Sequence, residues 1–377
     1  MSTATTPAPR RRAYQGPTIL TYGFRPFFLL GAIYAGLAIL VWLPVFHGEL
    51  SLHSAFAPRD WHVHEMLFGY LPAVMTGFLF TAIPNWTGRL PIQGKPLLAL
   101  VLVWIAGRIA VTVSADTGWL PAFLIDASFL ALLLTGNVAF HIEAHVNGAA
   151  NYSIRIGIAV VVLLISLIGG RIIPSFTRNW LAREKPGRLP TPFGRLDIAI
   201  VAITAVVLLI WIAWQDGPLV GVAFAFAGLL HLVRLGRWAG HRTFGERLVL
   251  ILHVGYVFVP LGFLLGAASA FDLLPPSAGV HAWMVGAAGI MTLAVMTRAS
   301  LGHTGQPLIA SLSTQAIYVA AVVAVLARIC AVIEPLRSEA LLHVAAGAWA
   351  AAFLGFAVTY GPALLGLDKR PIQKARV

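Results

Sequence analysis

The chain alternates long apolar runs with short polar links. Eleven runs lie near 27–46, 62–83, 97–113, 119–140, 153–174, 196–214, 218–235, 247–267, 279–298, 309–330 and 341–361. Each is about 20 residues long, the length an α-helix needs to cross a hydrocarbon layer of about 30 Å. Turn chemistry bounds the runs, at Pro84-Asn85, Asn147-Gly148, Asp216-Gly217-Pro218 and Pro275-Pro276 among others. Most links are short, so sequential helices should pack as antiparallel neighbours. The pattern predicts an all-α, polytopic transmembrane helical bundle. Its longest polar link, 171–195, divides a single membrane domain over 17–367 into halves at 17–170 and 196–367. Residues 1–16, made of Ser, Thr, Ala, Pro and Arg, are expected to form a disordered tail, and 368–377 a basic cytoplasmic one. No small-residue cleavage site follows the first apolar run, which is therefore read as a retained span.

Composition agrees with the pattern. Hydrophobic residues make up 59% of the chain and charged residues only 11%, where a soluble domain carries roughly a quarter. The net charge is +12, but the cations cluster in the links, as Arg178/Arg183/Lys185/Arg188 and Arg234/Arg237/Arg242 do. That placement holds loops against anionic lipid and does not point to nucleic acid. The single cysteine, Cys330, lies in an apolar run. It excludes an internal disulfide, a cysteine-based cluster and a covalently attached c-type haem.

The positive links of the second half place the C-terminus in the cytoplasm. Eleven spans counted back from there put Arg10-Arg11-Arg12 outside, a poor location for such a cluster; a twelfth span would bring them in.

The candidate chemistry is imidazole-rich. Trp61-His62-Val63-His64-Glu65-Met66 opens the second run. Two helical positions two apart diverge by about 200°, so His62 and His64 are expected to serve different partners. Glu65 can accept an imidazole N–H, and Met66 adds a soft thioether suited to copper or haem iron. His253 lies inside the eighth run, His281 opens the ninth and His303 follows it. Together these five histidines would suffice to ligate a haem and a copper. His231 with Arg234, and His141 with Glu143 and His145, read as solvated link residues. Arg108, Arg155, Arg171, Arg298 and Arg328 lie in or beside apolar runs. Haem propionates need such cations; snorkelling accounts for Arg155 and Arg328, while Asp126 is a possible ion-pair partner for Arg108. Gly169-Gly170-Arg171-Ile172-Ile173-Pro174 reads as a helix broken near the membrane surface.

Four separated motifs then carry a resemblance. Tyr22-Gly23-Phe24-Arg25-Pro26-Phe27-Phe28, Trp61 to Tyr70, Gly169 to Asn179, and His281-Ala282-Trp283 with Arg298 to Gly305 follow one another in order. In these the chain resembles, nearly end to end, the NnrS family of bacterial haem- and copper-containing membrane proteins linked to nitric oxide metabolism. The resemblance implies twelve spans, haem (b-type, given the lone cysteine), copper, an inner-membrane location and protection against nitrosative stress. On that reading Glu65 and Tyr70 are candidate proton donors for a nitric-oxide-directed oxidoreductase. Metal ligands are sought among His62, His64, His253, His281 and His303, and further cofactor contacts among Met66, Arg25, Arg108, Arg171 and Arg298. An outer centre of His62, His64 and His281 is expected, with His253 and His303 at an inner one. Two other functions suit the same pattern: a transporter of a metal, metal complex or small anion, and a haem-binding sensor or assembly protein without turnover.

Overall fold

The computed structural model describes residues 14–129 and 134–368. Arg10 to Arg12, and the basic tail beyond Asp368, lie outside the described residues. The described chain is all helical. α1 spans Phe24–Phe46, α2 Pro58–His64 and α3 Leu71–Thr87, with a π-helical turn at Glu65–Tyr70 joining the last two. α4 (Lys95–Thr112), α5 (Ser114–Thr117), α6 (Trp119–Ala127) and α7 (Leu134–Asn147) complete the first half. α8 (Tyr152–Glu184), α9 (Arg195–Trp214), α10 (Pro218–Gly236) and α11 (Arg247–Ala270) follow. α12 (Ser277–His281) runs through a second π-helical turn, Ala282–Gly289, into α13 (Ile290–His303). α14 (Leu312–Ile333) and α15 (Ser338–Leu365) close the bundle.

Ten helical segments among the described residues are long and apolar enough to cross a membrane. The fourth expected span is the exception. α6 and α7 have nine and 14 residues, about 13 and 21 Å of helix, each short of the roughly 30 Å a crossing needs. They return to the end they left: Trp119 at the start of α6 stacks on His145 near the end of α7, ring centroids 4.3 Å apart. Inside the hairpin Asn137 Nδ2 donates to Asp126 Oδ2 at 2.8 Å. The physical reason is in the run itself. Asp126 stands near its middle, and folding back turns that carboxylate and Asn137 toward protein, where a lone span would expose them to lipid.

The ten candidate crossings among the described residues are even in number. Arg25 Nη1 donates to the carbonyls of Ala363 and Leu364 at 2.8 and 2.9 Å, so α1 begins where α15 ends. We call this end proximal. At the other, distal end the His47 and His343 rings stack at 5.5 Å, and Ala150 N–H donates to Asp60 Oδ2 at 2.9 Å.

α8 also departs from expectation. It continues through Gly169-Gly170 and Pro174 as far as Glu184, so the polar link shrinks to 185–194. A proline inside a helix frees a carbonyl, which a buried setting tolerates when neighbouring helices supply donors. Arg234 of α10 packs against this stretch and donates from Nη1 to Ser166 O at 2.7 Å, one turn before Gly170, whose carbonyl loses its helical donor to Pro174. At 33 residues, about 50 Å, α8 outruns the membrane and carries Arg178 and Arg183 beyond its proximal side.

Candidate metal centre

The π turn after His64 fixes the main site. A π turn carries an extra residue per turn and re-aims the side chains around it, and such turns recur at functional sites. His64 and Glu65 are fully buried and face α4 and the α6–α7 hairpin. His64 Nδ1 stands 3.0 Å from Glu65 Oε1, the imidazole–carboxylate pairing expected. Its Nε2 lies 3.0 Å from Asn137 Oδ1 and 3.1 Å from Asp126 Oδ2. Arg108 of α4 donates from Nη1 to Glu65 Oε2 at 2.7 Å and from Nη2 to Asp126 Oδ1, so the Arg108–Asp126 pair anticipated from sequence is present. Tyr34 of α1 donates to Glu65 Oε2. His141 Nε2 stands 3.4 Å from Asp126 Oδ2.

His64, Asp126 and His141 could hold a metal ion, their ligand atoms all lying within 4.8 Å of one another. The separations of 3.1 and 3.4 Å match the ligand-to-ligand edge of about 3.3 Å around a tetrahedral ion with 2.0–2.1 Å bonds. The electrostatics agree. Two buried carboxylates face one guanidinium, leaving one negative charge unmatched, and both His64 nitrogens point at acceptor oxygens. A cation at Nε2, or a second proton on the ring, removes both mismatches.

Reading His141 as a solvated link residue is therefore corrected: it is 3% exposed and part of the trio. The signal was its spacing. Asn137 and His141 are four apart and share a helix face in an otherwise apolar run. Glu143, by contrast, is a cap. It accepts the backbone N–H groups of Asn151, Tyr152 and Ser153 at 2.8–2.9 Å and the Ser153 hydroxyl at 2.5 Å. Burial works to raise its carboxyl, but these hydrogen bonds win and hold it below the usual carboxylate range.

His62 points elsewhere, as its angular offset from His64 requires. Its ring stacks on Trp42 with centroids 4.5 Å apart, and it lies within electrostatic reach of Arg328 and His281. His281 Nδ1–H donates to Ser277 O at 2.6 Å. His62 Nδ1 is buried without a hydrogen-bond partner among the described residues, and Arg328 acts electrostatically on both rings. Two imidazoles, one with an unsatisfied nitrogen, and a guanidinium thus meet near the distal end, and His281, like His64, immediately precedes a π turn.

The other sequence candidates scatter. His253 Nε2 pairs with Thr177 Oγ1 at 2.8 Å, and His303 packs on Phe24 at 5.4 Å. Tyr70 pairs with Thr292 Oγ1 at 2.6 Å, turned away from Glu65; Tyr34 takes the place beside that carboxylate. Met66 packs against the apolar core. Arg25 caps α15, while Arg171 and Arg298 lie over the rings of Phe193 and Phe176 at 4.9 and 4.2 Å. His231 and Arg234, expected at a solvated surface, are fully buried in a second network with Asp197, Thr204 and Tyr256.

A search of curated proteins finds no match. The family description that matches is NnrS protein, over residues 18–136 and 127–367. These two stretches take in all four motifs, both π turns and the buried trio, and the chain belongs to the NnrS family.

Proposed function

We propose that this is a haem- and copper-binding inner-membrane protein that handles nitric oxide and relieves nitrosative stress, with copper held by His64, Asp126 and His141. The buried two-imidazole, one-carboxylate set carries the reading. Its donors suit copper, and its spacing suits a small ion. Copper there would supply one-electron chemistry and a position for a diatomic ligand. Glu65 orients the His64 ring and fixes which nitrogen faces the ion. Arg108 holds both carboxylates in place, and the Tyr34 hydroxyl supplies a proton-bearing group beside Glu65. Haem fits the second group, with His62, whose Nδ1 lacks a partner, and His281 as nitrogen ligands and Arg328 as a propionate partner.

Elemental analysis and optical spectra of purified protein test the assignment. His141→Ala and Asp126→Ala should lose copper and keep haem, whereas His62→Ala and His281→Ala should do the reverse. Glu65→Gln should weaken copper binding about 10- to 100-fold. Wild-type protein carrying neither cofactor would overturn the reading.

We also read the proximal end as cytoplasmic. Arg178, Arg183, Lys185, Arg188, Arg237 and Arg242 crowd that side, and an even number of crossings puts both ends of the domain there. Both centres then face the outer side. In a Cys330→Ala background, Thr117→Cys and Gly148→Cys should react with an impermeant maleimide from outside, and Gly187→Cys only after lysis. Labelling of positions 117 and 148 from opposite sides would refute the hairpin.

A further inference from the structure

His64, Asp126 and His141 are at most 3% exposed, so any ligand that reaches them must pass a movable wall. The link between α1 and α2 folds over the distal end and frames a partly open cavity of about 370 Å³, lined by Val45, Leu50, Leu52, Ser54, Phe56 and Trp61 among others. Its inner wall is one ring thick. Phe56 lies 5.2 Å from the His64 ring and 5.0 Å from the His141 ring, centroid to centroid. The other phenyl rings against His64 are Phe68 and Phe140, 1% and 0% exposed and each set in helical backbone. Phe56 alone among the three is half-buried and sits in irregular chain. Displacing it breaks no helix.

The lining also selects. No carboxylate, imidazole or basic side chain lines the cavity, so it offers no counter-charge to an ion. Its polar groups are the uncharged ones of Ser51 and Ser54, and the Nε1–H of the lining Trp61 is buried without a hydrogen-bond partner among the described residues. A small, neutral, weakly dipolar molecule suits such a lining.

We propose that this cavity is the antechamber through which a small neutral ligand, such as a diatomic gas, reaches the trio from the distal side, and that the Phe56 ring is the door between them. The proposal rests on the trio being the reactive centre, and its test is made independent of metal. In a Cys330→Ala background, His141→Cys puts a thiol at the site. Methyl methanethiolsulfonate, small and neutral, should modify it about tenfold faster when Phe56→Ala is added. It should react more slowly when Leu52→Trp fills the cavity. Phe56→Leu should fall between the first variant and the parent. Loosened packing cannot produce acceleration at the door and retardation in the antechamber together. Equal rates in all four proteins would overturn the route, whereas copper content of the unmodified protein reads the metal assignment separately.

Discussion

Replacing Arg108 with methionine should destabilise the folded protein by about 3–5 kcal/mol, the usual cost of removing one partner from a buried ionic group. Methionine preserves the apolar stem of the side chain, so the loss falls on the charge. Glu65 and Asp126 are 0% and 1% exposed, and Arg108 is the cation that binds both. Without it two carboxylates face each other across a dry space and must either take up protons or draw in water. Arg108→Lys should recover only part of the stability, because an ammonium cannot present a planar fork to two carboxylates at once. Denaturant titration in detergent measures the difference. Bound copper should narrow it, since a cation in the trio offsets part of the missing charge. Arg108→Met as stable as the parent would show that the cluster is neutral in the folded state.

What could be read in advance divides along the range of the interactions. Span positions follow from local hydropathy, and the runs at 247–267 and 309–330 reappear as Arg247–Ala270 and Leu312–Ile333. The His64–Glu65 contact was legible because the two residues are adjacent. The divergence of His62 from His64 was legible because helical geometry dictates it. Arg108 and Asp126 could be paired because each is costly alone in an apolar run. Three features depend on tertiary packing and were out of reach. The hairpin at α6–α7 hides behind an apolar run of spanning length, and only the placement of Asp126, Asn137 and His141 against α2 and α4 explains why it folds back. Pro174 reads as a break, yet α8 runs on to Glu184, packed in surroundings that include Arg234, 68 residues beyond Ser166 in the chain. His231 and Arg234 read as interfacial because a link follows them, and their burial requires Asp197, 37 residues upstream of Arg234.

That second network should behave as scaffold. Arg234 Nε donates to Asp197 Oδ1 at 2.8 Å, and Nη1 reaches Ser166 O at 2.7 Å and Tyr256 Oη at 2.9 Å. His231 pairs with Tyr256 Oη and Thr204 Oγ1, each at 3.0 Å. One guanidinium therefore clips together α8, α9, α10 and α11. Asp197→Leu alone should cost about 3–5 kcal/mol, since it strands the buried Arg234 guanidinium; Arg234→Met should cost less, since Arg237 Nη1 still stands 3.5 Å from Asp197 Oδ2. The double variant should cost clearly less than the two added together, because neither charge is then left behind. Gly170→Ala should imitate the loss of Arg234, for a Cβ there would stand 1.8 Å from Nη2 and force the guanidinium out of its notch. In all of these variants, any copper and haem per folded molecule should stay at the parent level, because Asp197 and Arg234 sit toward the proximal end and both proposed centres toward the distal end. Additive losses in the double variant would show that the pair is not coupled. Cofactor loss at unchanged stability would move this network from scaffold into the functional centre.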